Sequence, residues 1–435
     1  MATVEAKPVT ALPPGSNLPI LVQTILFLAA RRQAHLFWHR RYGDVFSSRL
    51  AGRRNVVTLS RPEHIRQVFA GAPTIFHAGE GNALLAPVMG DHSVLVTDED
   101  EHLRTRKLLM PAFNGAALRG YGDLMTEIAV GDVEHWPTGR PFAVHPRMNA
   151  VTLEIILRVV FGLSEGPRLT ELRPRIRQIS EIGPLTVLGW SYPKLAKYGP
   201  WKRNWDNLRA ADQLLFAEIA DRRTAGDLAE RGDVLSRLLK AAGGDLSDAE
   251  LRDQMITLLL AGHETTATAL AWSFHELARR PAVQRAAQRA ADDGDTNYLE
   301  AVAKEAMRRR PVIQNVARRL TEPTELAGYR LPAGTVVAPS ISLVHRNANA
   351  HEDPDDFRPE RFLGKQPEAG TWIPFGGGVR RCLGAGFSLQ EAVAVLREAL
   401  TRYDIRAERG REEFPKPRNI TLVPARGARI IATPR

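Results

Sequence analysis

The chain has 435 residues, 44% of them apolar, with one cysteine and a formal net charge of +10. A lone cysteine excludes a disulfide-built secreted fold, a multi-cysteine zinc site and an iron–sulfur cluster. The basic residues are scattered beside acidic ones and no nucleic-acid-binding motif accompanies them, so the charge points to an acidic protein partner or an anionic surface.

No linker, composition shift or internal repeat divides the sequence. It reads as one domain over 1–435, mainly α with a small β region, residues 1–16 forming a flexible tail. Leu18–Ala30 is apolar-rich but thirteen residues long and includes Pro19, Gln23 and Thr24; a spanning helix needs about 20 apolar residues. It lacks a signal-peptide layout. The segment is expected to be a short amphipathic helix packed on the body, with membrane contact as the alternative. Residues 43–60 alternate apolar and polar and predict a strand pair joined at Ala51-Gly52. Residues 77–97, glycine-rich and irregular, are expected to form a mobile loop. From 99 to 310 the periodicity is mostly helical. Strands return over 316–345 with a turn at Pro332-Ala333-Gly334, and Ile420–Pro424 with Ala428–Ala432 predict a final hairpin.

Ser247-Asp248-Ala249-Glu250 is a capping box, and the helical pattern after it runs to Arg279-Arg280-Pro281. Such a helix spans roughly 50 Å, enough to cross the domain. Its centre, Met255–Gly262, is apolar on every side and therefore buried. His263, Glu264, Thr265 and Thr266 follow directly, and a buried carboxylate needs compensation. A threonine bonded to its own preceding turn and a salt-bridged glutamate would satisfy them structurally.

Cys382 lies in Phe375-Gly-Gly-Gly-Val-Arg-Arg-Cys-Leu-Gly384. Pro374 and the glycines break regular structure and let the backbone approach a flat object closely. A helical pattern follows from Leu383 to Leu400, placing the sulfur at or just before a helix N-terminus. There the dipole, Arg380 and Arg381 favour a thiolate. A P-loop is excluded because no Lys-Ser or Lys-Thr follows. The sulfur is a filler, a nucleophile or the axial ligand of a haem.

This decapeptide resembles the haem-ligand loop of the cytochrome P-450 family, Phe-x-x-Gly-x-Arg-x-Cys-x-Gly, met at Phe375, Gly378, Arg380, Cys382 and Gly384. Ala261-Gly-His-Glu-Thr265 resembles the same family's oxygen-activating motif. The resemblance extends from the early strands to the final segment, in family order, and the layout looks most like soluble actinobacterial members, with a mycobacterial cast. It implies the family's fold, with a buried haem b (iron protoporphyrin IX) between the long helix and the cysteine loop. Cys382 would be the axial iron ligand, with Phe375 and Gly376 beside the ring. Ala261 and Gly262 would leave room for O2, Thr265 would offer a hydroxyl to it, and Glu264 would relay protons from solvent. His102 with Arg106, then Arg318 (or the adjacent Arg319), and Arg380 would hold the propionates. Glu305, Arg308 and Arg361 would form a structural lock behind the haem loop; taken alone, Glu305 and Arg308 are a common surface pair.

The function implied is a haem-thiolate monooxygenase that inserts one atom of O2 into a C–H or C=C bond of an apolar small molecule of the lipid, sterol or terpenoid class. Substrate is expected against the 77–97 loop, Leu258, Ala261, Ile313, Asn315, Val316, Thr421 and Leu422. No reductase domain follows Cys382, so electrons are expected from NAD(P)H through a separate reductase and an acidic ferredoxin docking at Arg104, Lys107 and Arg381. Pro13-Pro14-Gly15 resembles the hinge of microsomal members, but the twelve residues before it lack an anchor; the chain is expected to be soluble and cytoplasmic, with peripheral membrane contact allowed. A haem-binding sensor and a peroxide-driven peroxygenase are the rival readings; the Glu264–Thr265 pair argues against both.

Overall fold

The computed structural model describes residues 12–51, 54–162, 166–180, 193–418 and 420–435. The main helices are α1 (Ile20–Ala29), α2 (Arg31–Tyr42), α3 (Pro62–Ala70), α4 (Glu99–Leu109), α5 (Gly115–Val133), α6 (Val144–Phe161), α7 (Pro167–Ser180), α8 (Gly199–Thr224), α9 (Val234–Ala242), α10 (Asp248–Leu277), α11 (Pro281–Asp292), α12 (Thr296–Arg309) and α13 (Ala385–Arg402). The strands are β1 (Val45–Leu50), β2 (Arg54–Leu59), β3 (Phe76–His77), β4 (Phe142–Ala143), β5 (Arg318–Leu320), β6 (Thr324–Leu326), β7 (Tyr329–Leu331), β8 (Val336–Pro339), β9 (Tyr403–Ala407), β10 (Pro415–Arg418), β11 (Thr421–Pro424) and β12 (Arg429–Pro434). The largest sheet runs β1-β2-β8-β5-β3, antiparallel except where β2 meets β8. The expected helical body with a small β region is therefore present.

The core forms around α10. Ser247 caps it reciprocally with Glu250, as the motif predicts. Leu251, Met255, Ile256 and Leu259 are buried against α6, which contributes Ile155, Ile156 and Val159. Thr152 of α6 donates to the carbonyl of His263 at 3.0 Å and pins the two helices together at the motif.

Four expectations need correction. Residues 13–16 are docked, not loose: the Ser47 hydroxyl donates to the Pro13 carbonyl at 2.7 Å, and Gly15 bridges Ser47; residues 1–11 lie outside the described residues, as does Gly52 of the predicted first turn. The 77–97 segment contains short helical turns at Ala78–Asn82, Ala83–Leu85 and Ala86–Met89. Asp98 accepts the backbone N–H groups of Gly79 and Glu80, both at 2.9 Å, while Gln254 of α10 accepts from Val94 N–H at 3.1 Å and donates to the His92 carbonyl at 2.6 Å. Glycine content suggested mobility, but the partners holding this backbone are remote in sequence. The last strands are not one hairpin: β11 pairs with β10, and β12 with β9 and β4. Glu413 splays them, its carboxylate accepting from the N–H groups of Arg426, Ala428 and Arg429 at 2.8, 3.2 and 2.9 Å. Finally, α1 forms, but its apolar side faces outward.

The predicted lock is in place. Arg308 spends all five N–H donors inside the protein: two on Glu305 at 2.7 and 2.8 Å, and three on the carbonyls of His345, Pro354 and Asp356 at 2.8–2.9 Å. Arg361 donates to the same Glu305 carboxylate at 3.1 Å. Glu305 and Arg308 are both fully buried, which overturns the surface-pair reading. Glu305→Ala should destabilise the protein by about 3–5 kcal/mol, because it leaves a buried guanidinium uncompensated. Denaturant unfolding measures this, and a loss under about 1 kcal/mol would make the lock incidental.

Candidate active site

Along the buried middle of α10 the half-buried positions are Leu258, Ala261, Gly262 and Thr265. Leu258, Ala261 and Thr265 recur at helical spacing and mark the face of α10 turned to the site. Thr265 donates its hydroxyl to the Ala261 carbonyl at 2.8 Å, one turn back. Gly262 has a different role from the one expected: a Cβ there would sit 3.1 Å from the Cδ1 and Cγ1 atoms of Ile156. The missing side chain serves the close packing of α10 on α6, and Ala261 is the small residue on the site face.

Glu264 is buried, with its Oε1 3.7 Å from the Arg418 Nε and 3.9 Å from the His145 Nε2. Burial, reinforced by Arg418 and His263, holds His145 down to about 4, so it is a neutral ring near neutral pH. His145 also meets the Thr268 hydroxyl at 3.2 Å. The Arg418 side chain beside Glu264 is half-buried. Neither His145 nor Arg418 was visible in the sequence: they lie on α6 and β10, far from the motif, in segments without a signature of their own.

The cysteine loop precedes α13 as expected. Cys382 N–H donates to the Phe375 carbonyl at 2.9 Å, closing the loop, and Phe375 stands edge-on to Trp372. Gly376 and Gly378 have φ of +66° and +65°. A Cβ on Gly377 would meet the Phe69 ring of α3 at 2.2 Å, and one on Gly378 the Phe69 carbonyl oxygen at 2.2 Å. The missing side chains of these two glycines accommodate Phe69 of α3. Cys382 is surface-accessible, yet burial raises its thiol pKa against the pull of Gly384 N–H, Arg106 and Arg381. Coordination to a metal would favour the thiolate.

The predicted cations converge. His102 is lowered to about 3 by burial, then by Arg380, Arg106 and Arg318. Arg318 and Arg380 are each lowered to about 10, burial first, with each other or Arg106 contributing. Asp98 pairs with Arg380 and already accepts two backbone N–H groups. Arg319 is exposed and pairs with Glu80, so Arg318 is the residue facing the cluster. Three arginines around one carboxylate make a donor set that fits a group bringing two more carboxylates, as the propionates of haem do.

Thr266 links the two halves of the site: its hydroxyl lies 3.1 Å from the Ser388 hydroxyl on the first turn of α13. Ile313 bridges Thr421, and Leu422 N–H donates to the Val312 carbonyl at 2.7 Å, so these two expected pocket segments adjoin. Val316 lies beside Gly376. Asn315 bridges Ser340 in the neighbouring strand region. Lys107, Arg381 and Arg104 are all exposed, and Arg104 also donates to Glu250 at 2.9 Å and to the Asp245 carbonyl.

A mainly helical body with an accessible cysteine at a helix start, a small-residue turn on a buried helix and a basic cluster is the layout of a haem-thiolate oxygenase. The chain belongs to the cytochrome P-450 family, whose model (Cytochrome P-450) matches residues 12–431. It is similar to a Mycobacterium tuberculosis protein named cytochrome P-450 135A1, at 50% identity over 98% of this chain and 96% of that one. It is also similar to cytochrome P-450 135B1 of Mycobacterium bovis, at 46% identity over 96% of this chain and 91% of the relative. Among solved structures, the retinoic acid bound cyanobacterial CYP120A1 shares the fold, with a TM-score of 0.86 and 23% identity over 98% of this chain and all of that one. The protein is therefore a haem-containing monooxygenase that uses O2, and its relatives are mycobacterial, as the resemblance suggested.

Sequence reading missed Glu391, nine residues after Cys382 on α13. It is fully buried, neither carboxyl oxygen has a hydrogen-bond partner among the described residues, and burial raises its pKa well above the ordinary carboxylate value. It keeps its proton in the folded state and loses it on unfolding above the ordinary value, so it makes stability fall as pH rises, by up to about 1.4 kcal/mol per unit until the raised folded value is reached. Glu391→Gln should remove this slope and gain stability relative to the parent between about pH 5 and about pH 7. Thermal melts across that range check it; parallel curves would place the carboxyl in an environment that stabilises its charge.

Proposed function

We propose that Cys382 ligates the iron of a haem b, with Phe375 and Gly376 beside the ring and His102, Arg106, Arg318 and Arg380 at the propionates. The observation that carries this is the accessible sulfur beside a basic cluster short of anions, tied to the α10 motif through Ser388 and Thr266. When bound, the haem supplies the activation of O2 by a thiolate-ligated iron. The residues of this chain do the rest. Ala261 keeps the site face of α10 low, and the Thr265 hydroxyl, held by the Ala261 carbonyl, stands ready to donate toward a bound oxygen. Glu264 passes protons inward, with the Arg418 guanidinium holding one side of its carboxylate and neutral His145 the other.

The substrate is an apolar small molecule of the lipid, sterol or terpenoid class, oxygenated at a C–H or C=C bond. Leu258, Ile313, Asn315, Val316, Thr421, Leu422 and the 77–97 segment surround it, and their mostly aliphatic character supports this class. Electrons come from NAD(P)H through a reductase and an acidic ferredoxin, received at Arg104, Lys107 and Arg381. A cytoplasmic location fits the single cysteine.

Cys382→Ser should abolish the thiolate band of the reduced carbon monoxide difference spectrum, and retention of that band would sink the ligand assignment. Glu264→Gln and Thr265→Ala should keep the band but lower product formed per NAD(P)H consumed by about 10²-fold or more. A panel of apolar compounds scored by spin-state shift supplies the substrate for that assay. In stopped-flow reduction with an acidic ferredoxin, Lys107→Ala with Arg381→Ala should slow electron transfer steeply at low salt and little at high salt; unchanged rates at low salt would place the docking face elsewhere.

A further inference from the structure

Helix α1 turns only a narrow apolar side inward, where Leu26 packs against the cluster of Ala34, Trp38, Phe46 and Leu343. Its one fully buried residue is polar: Gln23 donates to the carbonyls of Ser16 and Leu18 at 3.2 and 2.7 Å and accepts from Arg49 N–H at 2.9 Å. Thr24, also polar, accepts from Ala51 N–H at 2.9 Å. The helix is thus fastened to β1 through hydrogen bonds to the strand's backbone. Its outward face is aliphatic, with Leu21, Val22, Ile25 and Leu28, and Leu18 just before the helix, between 39% and 69% exposed, the four helical residues at the spacing of one stripe. Hydrophobic burial normally orients a surface helix the other way, so an apolar medium outside is what this arrangement suits.

The charge pattern names that medium. From residue 6 to residue 43 there is no Asp or Glu, while Arg31, Arg32, Arg40 and Arg41 all fall there. Arg40 and Arg41 are exposed on α2 beside Phe37, itself 60% exposed. Arg32, part-buried, stands in a field of Arg346, Arg310 and Arg309 that Asp355 offsets in part. An aliphatic stripe next to a purely cationic stretch matches an anionic bilayer surface, whose headgroups take the arginines while the acyl boundary takes the leucines. An acidic protein partner would meet the same cations but gains little from five exposed aliphatic side chains that carry no hydrogen-bonding group.

Ten residues of α1 extend about 15 Å, half the roughly 30 Å hydrocarbon core. Among the described residues no helix is long and apolar enough to cross a membrane. We propose that the outer face of α1, with Phe37, Arg40 and Arg41 of α2, seats this protein on an anionic lipid bilayer without spanning it.

The test is co-sedimentation of the full-length, haem-loaded protein with vesicles of phosphatidylcholine alone or mixed with phosphatidylglycerol. The parent should pellet with the mixed vesicles and be released by salt. Leu21→Glu with Ile25→Glu should lower the bound fraction about tenfold. Arg40→Glu with Arg41→Glu should reduce binding to the level seen on phosphatidylcholine alone. An unchanged carbon monoxide spectrum shows that both variants are folded; neither site touches the haem residues, and binding is read without turnover, so the outcome is separable from the catalytic assignment. A parent that stays in solution, or a Leu21/Ile25 variant that pellets equally well, overturns the proposal. So does a self-association of the parent, seen by sedimentation velocity without vesicles, that the Leu21/Ile25 variant abolishes, since the face would then belong to a second copy of the chain.

Discussion

The five-donor saturation of Arg308 is the constraint on which the site rests. A guanidinium this deep in the protein is tolerated only with every N–H satisfied, and its partners are spread over α12 and the 345–361 segment. From there the order passes to the cysteine loop. His345, whose carbonyl Arg308 holds, has a ring kept neutral by burial, and its Nε2 accepts from Ile373 N–H at 2.9 Å. The Ile373 carbonyl accepts from Gly376, and the Phe375 carbonyl from Cys382. The sulfur is therefore positioned by a chain of hydrogen bonds that begins at a buried ion pair some seventy residues earlier in the sequence.

Electrostatics in the site follow from burial more than from sequence neighbours. A helix start with two arginines nearby predicted a thiolate, yet desolvation raises the Cys382 thiol. The nearby basic cluster is likewise lowered first by burial, with Arg380 acting on Arg318 and His102, and Arg106 on Arg380 and His102. Both imbalances support the proposed assignment, in which a bound group would bring a metal to the sulfur and carboxylates to the arginines. Haem is such a group, and the family relationship independently requires it.

Small residues carried two meanings that sequence could not separate. Gly262, Gly377 and Gly378 belong to motifs of the active site, but what their missing side chains make room for is protein: Ile156 in one case and Phe69 in the others. Ala261, next to Gly262, is the position left to the site. The same ambiguity misled the reading of 77–97, where Asp98 and Gln254 fix a backbone that its glycines made look loose. On α1 the error ran the other way: apolar periodicity was legible, but not the side that would face inward, because Gln23 and Thr24 find their partners on β1.

The sequence by itself determined the class. A cysteine loop, an acid–alcohol pair on a capped apolar helix and a Glu-x-x-Arg motif are local patterns, and local chemistry fixes them within a few residues. It also named His102, Arg106, Arg318 and Arg380 as candidate cations, and these lie within electrostatic reach of one another. Tertiary structure alone decided that Arg318 and not Arg319 joins the cluster, that Arg104 pairs with Glu250, that Glu264 lies near Arg418 and His145, that Glu391 is buried without a partner among the described residues, and that α1 shows its apolar side to the outside. Each of these depends on contacts between segments tens to hundreds of residues apart, and burial and charge pairing of that kind are properties of the packed chain, not of any stretch of it.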